Sequence, residues 1–246
     1  MIRLMHGDCL ELLLSIPDSS VDMVLADLPY GTTACKWDCV FDLERLWEHY
    51  KRICTPEAAI VLTASQPFTT RLISSNLPMF KYSWVWEKEK GSMPMQAPYQ
   101  PIKVHEDIVV FSKKACSYSK KGSMSYYPQK TKGRPYKATQ RKKGNYTFHT
   151  DPSGHTFKDN PGERYPRSVV QFKTESGLHG TQKPATLMEY LVKTYTTPGQ
   201  LVLDNCMGSG TTGVACVKSG RRFIGMELDE GIFNTAKARI EALSPT

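Results

Sequence analysis

Apolar residues follow two alternating rhythms along the chain. Near-continuous runs, Val21-Asp22-Met23-Val24-Leu25-Ala26 foremost, read as strands buried on both faces. Between them, apolar residues recur three and four positions apart, as in Leu43, Leu46, Trp47 and Tyr50, which share one face of a helix. This pattern predicts strands over 2–5, 21–26, 58–63, 82–87 and 106–112, and helices over 9–14, 42–54 and 68–75. The rhythm stops between residues 113 and 173. It resumes with a helix over 185–195, a strand over 201–203, a helix ending at Lys218, a strand over 223–226 and a last helix over 230–243. Strand and helix in alternation predict an α/β fold built on a parallel-rich sheet.

The interrupted segment also differs in charge. It holds 15 Lys and Arg against 3 Asp and Glu, +12 over 61 residues, so the other 185 residues carry −4 of the chain's total of +8. Nine Tyr and Phe lie among the basic residues, with Gly or Pro every few positions, which predicts an irregular insert with a short hairpin. A solvated, charge-rich loop is one reading of such a run. Cations interleaved with flat rings also neutralise phosphates and stack on bases. The expected organisation is thus one half-domain over 1–112, the insert over 113–173, and a second half of the same domain over 174–246.

With 246 residues, 40% of them apolar, the chain can bury a sizeable core. No stretch approaches the roughly 20 apolar residues of a membrane helix. Leu12-Leu13-Leu14 is too short, and too closely flanked by Asp8, Glu11 and Asp18, to be a signal-peptide core, so a cytoplasmic chain is expected. Seven cysteines without a Cys-x-x-Cys pair and six histidines without ligand spacing predict free thiols and no metal.

Two strand ends carry candidate chemistry. Leu201-Val202-Leu203-Asp204 leads into Asn205-Cys206-Met207-Gly208-Ser209-Gly210-Thr211-Thr212. A strand closing on an acid, then two glycines opening a helix, lets a ligand approach the backbone. Glu227 closes the next strand about 20 residues on, where an acid accepts from ribose hydroxyls, so a nucleoside is expected. The turn lacks the third glycine of the dinucleotide fingerprint and the lysine of the P-loop, which argues against NAD and ATP; a plain tight turn is the other reading. The second strand end is Asp27-Leu28-Pro29-Tyr30-Gly31. A carboxylate, a carbonyl held by a following proline and an aromatic ring suit an amino group on a flat heterocycle. Proline followed by glycine is equally an ordinary strand-to-turn signal. Asp8 reads as the N-cap of the first helix, and Lys88-Glu89-Lys90 as a solvated strand end.

These residues also carry a family resemblance. Asp27-Leu28-Pro29-Tyr30 resembles the Asp-Pro-Pro-Tyr motif of amino-methylating DNA methyltransferases, and residues 204–212 resemble their Asp-Pro-Phe-x-Gly-Ser-Gly-Thr-Thr cofactor motif. His179-Gly180-Thr181-Gln182-Lys183-Pro184 is similar to their His-Pro-Thr-Gln-Lys-Pro signature. The departures are Leu28 for proline, Asn205-Cys206 for Pro-Phe and Gly180 for proline. The motif order, catalytic before cofactor, resembles the beta arrangement, a circularly permuted Rossmann-like sheet.

The resemblance implies methyl transfer from S-adenosylmethionine to adenine N6 in double-stranded DNA, with the target base flipped, as in restriction-modification systems. It assigns Asp27, Leu28, Pro29 and Tyr30 to catalysis. Asp8, Asp204, Gly208, Ser209, Gly210, Thr211, Glu227, Gln182 and Lys183 go to the cofactor, and Arg134, Arg141, Lys142, Lys143, Arg164 and Arg167 of the insert to DNA. A homodimer is compatible with it. Cytosine N4, an RNA or protein amino group, or a non-catalytic DNA-binding role are the alternatives; aspartate in the first motif position favours adenine, since the family more often has serine for cytosine.

Replacing Arg141, Lys142 and Lys143 with glutamine is expected to weaken DNA binding across sequences. The slope of log affinity against log salt should fall by about 0.9 for each phosphate that the variant no longer neutralises. Binding titrations at several salt concentrations check this, and an unaltered slope and affinity would remove the run from the interface.

Overall fold

The computed structural model describes residues 1–31, 42–92, 94–117, 122–137, 159–175 and 182–243. The chain opens with β1 (Ile2–His6), α1 (Cys9–Leu12) and β2 (Val21–Asp27), followed by α2 (Leu43–Ile53), β3 (Cys54–Ala64) and α3 (Phe68–Ser75). Next come a long pair, β4 (Phe80–Ser92) and β5 (Lys103–Phe111), then the short strands β6 (Thr131–Lys132), β7 (Glu163–Arg164) and β8 (Val169–Gln171). The last part holds α4 (Ala185–Tyr195), β9 (Leu201–Asp204), α5 (Thr211–Lys218), β10 (Arg222–Glu227) and α6 (Glu230–Glu241). Aspartate caps set three helix starts: Asp8, Asp42 and Asp229 accept from the backbone N–H of Leu10, Arg45 and Ile232 at 2.8, 3.1 and 2.9 Å.

Eight strands form one sheet in the order β1-β10-β9-β2-β3-β5-β4-β8. All neighbours are parallel except at β5, which runs against both β3 and β4. One face is packed by α1, α2 and α3, with Leu46, Trp47, Tyr50 and Leu72 in the core. The other is packed by α4, α5 and α6, with Leu187, Leu191, Val214 and Ile240. β2 sends Val24 and Ala26 to the first face and Met23 and Leu25 to the second, which is why its sequence is nearly all apolar. The predicted permuted α/β sheet is thus observed. From β2 the chain steps outward to β3, whereas β9 lies on the other side of β2 and steps away through β10, so the junction of β2 and β9 is a topological switch point.

Several boundaries differ from the pattern-based expectation. β4 extends beyond 82–87 at both ends: Phe80 pairs with Phe111 and packs on the core, whereas the polar end is held by pairing with β5, Ser92 standing opposite Lys103. The first helix ends at Leu12 and tightens into a 3-10 turn over Leu13–Ser15. Within the segment 113–173, the described residues up to Tyr127 belong to the α/β unit: Met124 is buried, and the Tyr127 N–H donates to the Thr194 carbonyl at 2.7 Å. β8, from the same segment, adds a parallel edge strand beside β4.

Residues Pro128–Arg167 form a second compact unit. Within it β6 and β7 make a two-residue antiparallel ladder, the Lys130 ammonium lies 4.9 Å from the Tyr165 ring centre, and the Arg164 guanidinium 4.8 Å from that of Tyr136.

The C-terminal end of α4 is pinned to β4 by a buried hydrogen-bond cluster. Trp84 Nε1 donates to Tyr195 Oη at 2.7 Å, and Tyr82 Oη is hydrogen-bonded to the same oxygen at 3.0 Å. Tyr195→Phe should leave the Trp84 N–H buried without its acceptor and cost about 1–3 kcal/mol. Denaturant unfolding at neutral pH checks this; unchanged stability would mean that the cluster does not hold the helix.

Candidate active site

The carboxyl edge of the sheet gathers acids from four adjacent strands. Asp8 follows β1, Glu227 ends β10, Asp204 ends β9 and Asp27 ends β2. Parallel register does this: Gly225 stands beside Asp204, and Val24 beside Leu203. Asp204 is buried, its Oδ1 accepting from the Cys206 N–H at 3.1 Å. Burial pushes its carboxyl up to about 7, against the lowering effect of hydrogen bonds from Thr212 and Cys206. Asn205, where the family pattern has proline, receives the Tyr50 hydroxyl at 2.6 Å in the core and so ties the turn to α2.

The glycine turn has the properties of a ligand cradle. Gly208 has φ +50°, and no atom lies within 4 Å of the place a Cβ would take, so its open side can admit a ligand. Its N–H donates to Glu227 Oε2 at 3.0 Å, while Glu227 Oε1 accepts from the Leu228 and Asp229 N–H groups at 2.9 and 3.0 Å. The carboxylate is therefore fixed beside the turn. Gly210 serves packing instead: a Cβ there would stand 2.9 Å from Ile240 and 3.1 Å from Ala236 on α6. Arg239 of α6, absent from every sequence motif, donates to the Ser209 carbonyl and the Thr211 hydroxyl, both at 3.1 Å. Gln182 reaches the same turn, its Oε1 accepting from Ser209 Oγ at 3.3 Å. A glycine left open on one side, a fixed carboxylate and a helix start fit a nucleoside donor.

Asp27, like Glu227, accepts three hydrogen bonds, but all three of its donors are side chains. The Tyr30 hydroxyl donates to its Oδ1 at 2.9 Å, the Thr63 hydroxyl donates to the same oxygen, and Lys183 Nζ donates to Oδ2 at 2.7 Å. Burial, with Asp27 beside it, pushes the Tyr30 phenol well above its ordinary value, so it remains a donor. The Tyr30 ring stacks on Phe68, with centres 5.2 Å apart and planes inclined by 23°. Leu28 buries its side chain in the core, leaving its backbone as the polar group this position offers, and Pro29 is half-buried behind it.

Lys183 stands at Asp27, whereas Gln182 beside it stands at the glycine turn. Burial opposes the Lys183 charge, but Asp27, Tyr30 and Glu106 outweigh it and hold the ammonium above its ordinary range. Lys88, expected to be a solvated strand end, is instead largely buried and paired with Glu106, because β5 runs antiparallel and returns its first residues to this edge. Thr63, Glu106 and Lys88 lie in no sequence motif; strand pairing alone brings them here.

Among the basic residues expected on DNA, Arg134 and Arg167 are exposed in the second unit. Arg164 is engaged within that unit, donating to Asn160 Oδ1 at 3.2 Å and to the Arg134 carbonyl. Arg141, Lys142, Lys143, His179 and Gly180 lie outside the described residues. Among the described residues no group of His, Cys, Asp and Glu could hold a metal ion, and no helix is long and apolar enough to cross a membrane.

Known proteins resemble this chain in sequence and in fold. The chain is 28% identical over 255 residues to the DNA adenine methyltransferase YhdJ of Escherichia coli K12, covering 98% of this chain and 83% of that one. The crystal structure of the M1.HpyAVI–SAM complex superposes with a TM-score of 0.65 at 24% identity, covering 97% and 100% of the two chains. The PvuII cytosine-N4-specific DNA methyltransferase superposes at 0.68 with 15% identity, covering 98% and 90%, a likeness of fold. The family model for DNA methylase matches residues 21–238, from β2 through most of α6, and this chain belongs to that family.

Proposed function

We propose that the chain transfers the methyl group of S-adenosylmethionine to adenine N6 in double-stranded DNA. The observation that carries this reading is the Asp27 carboxylate, held at the end of β2 by Tyr30, Thr63 and Lys183 across the switch point from the open side of Gly208. Membership of the DNA methylase family supports a DNA substrate. Adenine is favoured by the aspartate in the first position of the motif and by the similarity to YhdJ.

The donor supplies an electrophilic sulfonium methyl. Glu227 and the Gly208 turn would hold its nucleoside part, with Asp8 beside them at the end of β1. A base inside a duplex has its amino group engaged in pairing, so the adenine must leave the stack to reach Asp27. Asp27 would accept one amine hydrogen and the Leu28 carbonyl the other, turning the nitrogen lone pair toward the methyl carbon. That nitrogen forms the new C–N bond as the C–S bond breaks toward sulfur, and the amine then releases a proton to water. Tyr30 would stack on the base. Because no bond to the protein forms, positioning supplies much of the rate. Exposed basic residues of the second unit, Arg134 and Arg167 among them, would meet phosphates.

The test is transfer of labelled methyl groups to duplex DNA, with digestion and mass spectrometry to separate N6-methyladenine from N4-methylcytosine; methylcytosine alone would overturn the choice of base. Asp27→Ala is expected to lower turnover by about 10² or more while cofactor affinity holds. Turnover above about a tenth of wild type would reject the assignment of Asp27.

Gly208→Val and Glu227→Ala should each raise the S-adenosylmethionine dissociation constant about tenfold or more, equivalent to about 1.4 kcal/mol. Calorimetric titration reads it, and unchanged affinity in both variants would put the nucleoside site elsewhere.

A further inference from the structure

The first residues of β5 bring a second carboxylate to the reaction edge. Glu106 and Lys88 each keep only 15% of their side chains exposed, and Lys183 keeps 7%. Lys183 Nζ lies 2.7 Å from Asp27 Oδ2 and 3.2 Å from Glu106 Oε2, while Lys88 pairs with Glu106 Oε1. Four charges thus alternate: Asp27, Lys183, Glu106, Lys88. Apolar side chains of the same volume would hold a fold together equally well, so stability does not account for burying them. The function proposed above uses neither Glu106 nor Lys88.

We propose that Lys183 and Glu106 are positioning residues for methyl transfer: Glu106 anchors the Lys183 ammonium, and the ammonium fixes Asp27 in the one orientation that leaves a single acceptor site for the substrate amine. The inference rests on the amino-methyltransferase reading. A carboxylate offers about four lone-pair sites. Tyr30 and Thr63 take two on Oδ1 and Lys183 takes one on Oδ2, which leaves one, on Oδ2, for an amine N–H. Positive charge grows on the amine nitrogen as the C–N bond forms. An unbalanced ammonium beside Asp27 would oppose that charge; Glu106 neutralises it, so the amine meets the field of Asp27 against a neutral pair.

The two residues act on Asp27 with opposite sign. Without Lys183, Asp27 and Glu106 face each other as like charges, which favours proton uptake. Without Glu106, one like charge is removed, which disfavours it. The other groups that bear directly on Asp27 are common to both variants: Tyr30 from the turn after β2, Thr63 from β3 and Asp204 from the end of β9, while Lys88 of β4 acts through its pairing with Glu106.

The experiment measures kcat and KM against pH for wild type, Lys183→Met, Lys183→Arg and Glu106→Gln, together with a carbon-13 carboxyl titration of Asp27 by NMR. Lys183→Met should lower kcat about 100-fold, leave both KM values within about threefold, and move the acid limb of kcat to higher pH. Lys183→Arg should recover most of the rate. Glu106→Gln should lower kcat with the acid limb moved to lower pH. Should Lys183→Met fail to fold, Lys183→Met/Glu106→Gln, which leaves Asp27 and Lys88 in balance, should fold and still lose the rate. A kcat within threefold of wild type, or a loss of rate with the Asp27 titration unmoved, overturns the proposal. Wild type that methylates no DNA would instead reject the functional reading, while the carboxyl titration still decides the role of Lys183.

Discussion

Two parallel strands, β2 and β9, lie side by side while their onward connections run to opposite halves of the sheet, and the rest of the molecule is arranged around that junction. Helices on both faces force the strand interiors to be apolar, so the polar ends of the strands meet at one edge where a ligand can reach them. Asp27 and Asp204 close these two strands at the same edge. The Gly208 turn and the Asp-Leu-Pro-Tyr turn therefore lie at one edge of the sheet although 176 residues separate their first acids in the chain.

Burial at this edge has consequences for charge. An isolated carboxylate withdrawn from water costs several kcal/mol unless it is paired. Two solutions occur along this edge, on strands separated by β2 and β3. Asp204 is buried with hydrogen bonds and, among the described residues, pairs with no cation, and its proton affinity rises. On β5, Glu106 is buried as well, but Lys183 and Lys88 outweigh the effect of burial and hold its carboxyl below its ordinary value. The same edge thus offers one carboxyl that titrates near neutrality and a charge-balanced group around Asp27, a separation that suits a cofactor site and a reaction site placed side by side.

The departures from the family pattern have separate structural reasons. Leu28 substitutes for proline without altering what its carbonyl can offer, and its side chain adds to the core. Asn205 replaces a proline with a side chain that accepts the Tyr50 hydroxyl, so the turn after β9 is tied to α2 by a hydrogen bond instead of by a ring.

What was legible in the sequence was local. The run from Val21 to Ala26, the spacing of Leu43, Leu46, Trp47 and Tyr50, and the order of acid, glycines and second acid from Asp204 to Glu227 determined the strands and helices, the sheet class and the two motif-bearing turns, because each rests on residues near one another in the chain. The extent of β4 past Glu87 was not legible, since polar Lys88-Glu89-Lys90 carry no apolar signal and the strand resumes its pairing with β5 only at Ser92, opposite Lys103. Nor were Thr63, Glu106, Lys88 and Arg239, which reach the site from four other elements, or the division of Gln182 and Lys183 between the cofactor turn and Asp27. Those were decided by tertiary structure alone: the reversed direction of β5 and the register of the sheet bring together charges that the chain keeps far apart, and no periodicity within a segment encodes which strand will lie beside it.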